Sequence, residues 1–243
     1  MDLFFSRNSG NSSRSIFALH ESGAAWTSRV VDPRVGETRR PEYLAINPLG
    51  KIPALADGAL LLWESNAINW YVAEKQPQAR LLPASIEGRA AVHRWLFFQA
   101  GHVSPACFPI LRTLPQIQAF WNIKADLQAA EVGCKELGRY LPVLDGALAG
   151  RAWLETEFSL ADIAYAPHFM LLSQTGFDFS PYPALRVWLD RLLARPAWQK
   201  TMKLTSNDRR GRHHVQCAQR TRAGRLLAAI GRRGVRPCEP ACR

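Results

Sequence analysis

Short apolar runs broken by turn residues fill the first third of the chain, and apolar positions three and four apart dominate the remainder. Asp2 to Phe5 is one such run, and the cluster Asn8-Ser9-Gly10-Asn11-Ser12-Ser13 leads into Ile16-Phe17-Ala18-Leu19, which predicts strand, loop and helix. A second strand from Trp26 to Val31 completes a β-α-β unit. After a polar stretch with Arg34, Arg39 and Arg40, residues 47–55 read Asn-Pro-Leu-Gly-Lys-Ile-Pro-Ala-Leu; Asp57-Gly58 then marks a hairpin turn before Ala59 to Trp63, predicting two short antiparallel strands. Ser65 can cap a helix whose apolar positions Ala67, Ile68, Tyr71 and Val72 recur at helical spacing, with Glu74 and Lys75 at its far end.

The proline-bearing connector from Gln76-Pro77 to Pro83-Ala84-Ser85 ends the strand signals. Leu127, Ala130, Cys134, Leu137, Leu141, Leu144 and Leu148 form one seam of a long helix that must accommodate Pro142. Leu185, Trp188, Leu189, Leu192 and Leu193 repeat the spacing. Between them, Ser159-Leu160-Ala161-Asp162 is a capping-box variant opening a helix that runs toward Phe169 with a kink at Pro167. The pattern divides the chain into an α/β unit (1–77), a linker (78–85), an all-α unit (86–202) and a tail (203–243).

Composition changes this picture mainly at the tail. With 243 residues, 47% of them hydrophobic, the chain is long enough to bury a sizeable core, and no apolar run approaches a membrane span. The opening residues lack the pattern of a secretory signal, so a cytoplasmic location is expected. Five cysteines without paired zinc spacing argue against a disulfide framework, and the isolated histidines argue against a metal site. The net charge of +11 is uneven: the last 41 residues carry eleven basic and two acidic groups, leaving residues 1–202 at +2. This tail reads either as a basic arm for nucleic acid or anionic lipid, or as a disordered extension without a folded design, and the second reading is preferred.

Three segments carry a resemblance. Residues 47–55, then Trp63-Glu64-Ser65-Asn66-Ala67-Ile68, then Phe158-Ser159-Leu160-Ala161-Asp162-Ile163-Ala164, in this order and spacing, resemble the cytosolic glutathione S-transferase family over about residues 1–202. The resemblance implies a thioredoxin-like N-terminal domain joined to an all-α C-terminal helical bundle. It also implies a homodimer, and an enzyme that activates the thiol of glutathione for attack on an apolar electrophile. A non-catalytic binding or scaffold protein on the same fold is the alternative.

The resemblance also assigns residues. An Ile52-Pro53 bond that is cis in the family would leave the Ile52 backbone free at a strand edge for an extended peptide. Glu64 would attract the γ-glutamyl ammonium, and Ser65, opening a helix, would meet the γ-glutamyl carboxylate. Lys51, or less directly Arg39 or Arg40, would meet the glycyl carboxylate. Counting back from Arg14 places the thiolate-stabilising hydroxyl at Ser9, with Asn11 and Ser12 as competing donors; the first Tyr is Tyr43 and the first Cys is Cys107, so Ser-type chemistry is expected. The acceptor pocket is expected along Trp95, Phe98, His102 and Phe108. Asp162 and its capping box read as folding determinants.

Overall fold

The computed structural model describes residues 1–205; residues 206–243, which hold nearly all of the tail expected to be basic and unstructured, lie outside the described residues. Strand β1 (Asp2–Phe5), helix α1 (Gly10–Ser22) and strand β2 (Thr27–Val30) build the first unit, followed by the short α2 (Pro41–Leu44), the hairpin β3 (Ala54–Asp57) and β4 (Leu60–Trp63), and α3 (Ser65–Lys75). The sheet order is β2-β1-β3-β4, with β1 parallel to β2 and β3 antiparallel to both its neighbours. Alternation along β1 sorts the two faces. Leu3 and Phe5 cluster with Ile16 and Leu19 of α1 and with Ile68 and Val72 of α3. Phe4, on the other face, meets the Tyr43 ring of α2 edge-on at 6.1 Å. This is the thioredoxin-like half.

The second half contains only helices among the described residues: α4 (Ile86–Phe98), a wide π turn at Gln99–Val103, α5 (Ser104–Leu111), α6 (Pro115–Trp121), α7 (Leu127–Leu148), α8 (Leu160–Ile163), α9 (Ala166–Gln174), α10 (Pro183–Leu193) and α11 (Pro196–Thr205). The α7 seam from Ala130 to Leu148 is buried as its spacing predicts, but Leu127 is exposed at the helix start. Gly133 belongs to the seam for another reason: a Cβ there would lie 2.4 Å from the Ala106 carbonyl oxygen, so glycine lets α5 and α7 approach closely. Pro142 sits inside α7 on its exposed side. The single kinked helix expected after Ser159 is two helices, because Pro167 lies in the first turn of α9, where a missing N–H breaks no bond. Helix α11 continues to Thr205, so Lys203 to Thr205 are helical rather than part of a tail.

Helix α1 is shared between the halves. Ile16 and Leu19 enter the sheet-side core, while Phe17 and Ala18 enter the helical core. Phe17 packs edge-on against Trp198 of α11 at 5.3 Å, and Arg195 forms a two-pronged ion pair with Glu21 at 2.5 and 2.8 Å. No helix of the described residues is long and apolar enough to cross a membrane.

Asp162 pins the helical half. Its buried carboxylate accepts from the Leu154 N–H (3.0 Å), the Ser159 N–H (3.0 Å) and the Trp188 indole N–H (2.8 Å), while the Ser159 hydroxyl accepts from the Ala161 N–H (3.2 Å). Burial pushes its pKa up to about 6 against those three donors. Replacing it with alanine strands three buried donors, so Asp162→Ala should lower unfolding stability by about 3 kcal/mol or more, read from denaturant midpoints. Because its carboxyl binds a proton more tightly folded than unfolded, stability should fall, relative to an Asp162→Asn variant, as pH rises from about 4 to about 6, and run parallel to that variant above it.

Candidate active site

The loop from Ser6 to Ser9 delivers the chain into α1, and Ser9 caps that helix. Its hydroxyl oxygen accepts the Ser12 N–H at 3.2 Å, and its carbonyl accepts the Ser13 N–H at 2.9 Å. The Gly10 and Asn11 N–H groups enter no hydrogen bond among the described residues, so the positive end of α1 is open there. Ser9 uses an oxygen lone pair for the cap and keeps its O–H proton available to donate. The two competing donors differ in exposure. Ser12 is fully buried, its hydroxyl accepting the Ser6 N–H at 3.3 Å, so it fixes the loop and cannot reach a thiol. Asn11 accepts from Arg14 Nη1 through Oδ1 at 3.1 Å, which leaves its amide N–H donors uncommitted among the described residues, beside the larger cleft.

Arg14, one turn into α1, is buried and joins both halves. Nη1 donates to the Ser65 hydroxyl at 2.8 Å, and Nε donates to the Ala164 carbonyl at 2.8 Å. Its Nη2 lies 3.5 Å from His168 Nδ1. Burial lowers its pKa to about 10, against the opposing pull of Tyr165 and Glu64, so it stays charged at neutral pH. His168, buried beside this cation, is held well below the ordinary histidine range, first by burial and then by Arg14, and is neutral. A one-way chain of donors sets its tautomer: Asn66 Nδ2 donates to Gln99 Oε1 (3.1 Å), Gln99 Nε2 to the Ser104 hydroxyl, and Ser104 to His168 Nδ1 (2.8 Å). The π turn is what carries Gln99 inward to meet Asn66.

Glu64 and Ser65 open α3. Glu64 has φ 68° and ψ 113°, a conformation outside the left-handed well that Arg80 and Asn122 occupy and unfavourable for a side chain bearing a Cβ. The N–H groups of Ser65, Asn66 and Ala67 enter no hydrogen bond among the described residues, and Arg14 stands behind them. An anion at this end meets free donors, a helix terminus and a buried guanidinium together. The Ile52-Pro53 bond is cis, and the Ile52 N–H and C=O make no hydrogen bond among the described residues. The preceding loop is held by Tyr43 Oη and Asn47 Nδ2, both donating to the Lys51 carbonyl at 2.6 and 2.7 Å. The Lys51 side chain is exposed and lines neither of the two clefts beside α1, and the Arg39 guanidinium donates to the Leu49 carbonyl at 3.3 Å.

These two clefts flank the first turn of α1. The larger, about 800 Å³, brings together Asn11, Arg14, Glu64, Ser65 and Phe108. The smaller, about 220 Å³, has Ser9 in its wall with Ile117, Phe120 and Trp121 from α6, Met170 and Leu171 from α9, and Met202 from α11. Of the four acceptor residues expected from sequence, Phe108 lines the larger cleft and the other three line neither. Trp95 is buried in the helical core with its indole donating to Glu155 at 2.7 Å. Phe98 and His102 pack against the Tyr140 ring at 5.8 and 5.4 Å, and none of the three lines either cleft. Sequence reasoning did not single out the other residues of the smaller cleft: α6, whose adjacent Phe120-Trp121 pair is an aromatic signal of the same kind, and Arg7, two residues before Ser9. Among the described residues no group of three His, Cys, Asp or Glu side chains is arranged for a metal ion.

Comparison with known proteins agrees with this geometry. Residues 8–75 match the model for the glutathione S-transferase N-terminal domain, and residues 100–196 match that for the C-terminal domain. The chain is 32% identical over 207 residues to a probable glutathione S-transferase, GSTF2, of Oryza sativa subsp. japonica, covering 84% of this chain and 96% of that protein. It is also 32% identical over 209 residues to glutathione S-transferase GstB of Escherichia coli K12, covering 83% and 97%. Among solved structures, glutathione transferase F7 of Populus trichocarpa superposes with a TM-score of 0.78 at 27% identity over 84% of this chain and 99% of that one. A theta class glutathione S-transferase of Xanthomonas axonopodis pv. citri with glutathione bound gives 0.74 at 29% identity, over 83% and 96%. With its fold and these relatives in agreement, the chain belongs to the glutathione S-transferase family.

Proposed function

We propose that this protein is a Ser-type glutathione transferase in which Ser9 donates a hydrogen bond to the glutathione thiolate. The observation that carries the reading is the Ser9 cap: its oxygen is occupied by the Ser12 N–H, so its proton is the part left to offer, at the open positive end of α1. A glutathione thiol is mostly protonated at neutral pH, and a hydroxyl donor together with a helix terminus favours its anion. The γ-glutamyl carboxylate then sits at the N–H groups of Ser65 to Ala67, its ammonium near Glu64, and the peptide backbone along Ile52. Orientation and charge stabilisation do the catalytic work, as the sulfur forms a bond to the acceptor carbon and the leaving group departs with its electron pair.

The acceptor occupies the smaller cleft, whose apolar walls meet Ser9. Residues 1–77 supply the glutathione contacts, and the helical unit from residue 86 onward supplies most of the acceptor walls. A homodimer is part of this proposal: Leu60 on β4 and Phe97 on α4 are exposed along the larger cleft, and a second copy would cover them.

Ser9→Ala should cut turnover with a chloronitrobenzene acceptor by about 10²-fold while glutathione still saturates the protein in calorimetry. Unchanged turnover would remove Ser9 from its role, and absence of binding to the unmutated protein would leave the scaffold reading. Glu64→Ala and Glu64→Gly should both weaken glutathione binding by about ten-fold or more, since each removes the partner of the ammonium. Their stabilities should separate: glycine accepts the φ of 68° and should leave the protein about 1 kcal/mol more stable than the alanine variant in thermal unfolding.

A further inference from the structure

We propose that the acceptor taken by the smaller cleft is an aromatic electrophile bearing a carboxylate, and that Arg7 selects it; this rests on the transferase reading and narrows its substrate class.

Size comes first. An apolar cavity of roughly 150 Å³ holds one benzene molecule. The cleft of about 220 Å³ therefore has room for an aromatic ring with its substituents. The walls suit a flat ring: Phe120 and Trp121 lie edge to face at 4.8 Å, and Met170 and Met202 offer polarisable sulfur.

Charge comes second. Arg7 is the one ionisable side chain among the residues lining this cleft, and no carboxylate lines it. Among the described residues Arg7 has no ion-pair or hydrogen-bond partner, whereas Arg34, stacked over the Phe120 ring at 4.9 Å and absent from the cleft lining, is paired with Asp32. The uncharged polar groups are partly spent on each other, with Gln116 Nε2 donating to Gln174 Oε1 at 3.2 Å. A cation free of partners, in the same cleft as the thiolate-binding hydroxyl, has a specific use. An anionic acceptor approaching a thiolate is repelled, and a guanidinium that binds its carboxylate in a two-pronged fashion removes that repulsion while fixing the ring's orientation. The bond changes are those of aromatic substitution: the thiolate sulfur bonds to the ring carbon that carries chloride, the carbon–chlorine bond breaks, and chloride leaves with the electron pair. No oxidant or reductant takes part.

The test uses the reaction products as probes, so it does not depend on turnover. Calorimetry would compare the conjugate of glutathione with 4-chloro-3-nitrobenzoate against the conjugate with the matching benzamide, on the full chain and on Arg7→Gln and Arg7→Lys. The carboxylate conjugate should bind about ten-fold more tightly than the amide, a preference that collapses in Arg7→Gln and survives in part in Arg7→Lys. Equal binding of the two conjugates to the unmutated protein, or a preference that persists in Arg7→Gln, would overturn the proposal and leave the transferase standing. Failure of both conjugates and of glutathione itself to bind would overturn the transferase reading, and this proposal with it.

Discussion

A guanidinium buried without a carboxylate against it is expensive, and Arg14 is held that way by neutral acceptors alone: Ser65, Asn11 and the Ala164 carbonyl, with His168 alongside. Those acceptors satisfy its donors but do not cancel its charge. Each lies on a different element, so the single cation fixes the first turn of α1, the first turn of α3 and the junction of α8 with α9 relative to one another. The remaining positive potential points where two helix N-termini already leave N–H groups free. A bound carboxylate thus meets an electrostatic environment in place before it arrives, and little reorganisation is left for the moment of binding. The strain at Glu64 fits the same logic, since its φ of 68° is maintained by a junction that packing and hydrogen bonds hold from several sides.

Helix α1 explains why the two halves behave as one structure around this site. Its Ile16 and Leu19 belong to the sheet-side core and its Phe17 and Ala18 to the helical core, so shifting one half against the other would disturb both. Because nearly every side from Ser12 to Leu19 is buried, α1 lacks the polar stripe of a surface helix. Its serines lie among the buried positions for a local reason: Ser12 and Ser13 both bond back into the loop, so their polarity is used before the core begins.

Elements governed by local pattern were legible in the sequence. The alternation of β1, the Asp57-Gly58 hairpin, the α7 seam and the Ser159–Asp162 capping box all derive from neighbours in the chain, and the motifs around Ile52-Pro53 and Glu64-Ser65, proposed to meet glutathione, are equally contiguous. The features that escaped depend on distant segments. Trp95 and Phe98 carry the same aromatic signal as Phe120 and Trp121, and only the path of the chain decides that the first pair faces the core and Tyr140 while the second faces Ser9. Arg14 was readable as a marker for counting, but its four contacts lie up to 154 residues away and no spacing announces them. Pro167 shows a milder version: its effect on the helix was visible, yet whether it would bend one helix or start another depends on what Tyr165 and Ala164 contact.

The two ends of the site also differ in how they are built, and α9 is where they touch. The glutathione end rests on backbone amides and buried hydrogen bonds, which define positions tightly and tolerate little substitution. The acceptor end is walled by side chains from α6, α9 and α11, two of them methionines, whose unbranched chains adjust to different shapes. Adjacent residues at the start of α9 serve both ends: Pro167 lines the acceptor cleft, while His168 reaches Arg14 and Ser104. The His168 ring also lies against Gly10, where a Cβ would come within 3.2 Å of its Cδ2, so any larger residue next to Ser9 would have to push that ring aside by a few tenths of an ångström. An acceptor that displaces Pro167 would therefore be felt at Gly10 and Arg14 through rigid contacts rather than through a flexible loop. The geometry of the thiol-binding turn and the fit of the acceptor are in this way set by one helix terminus.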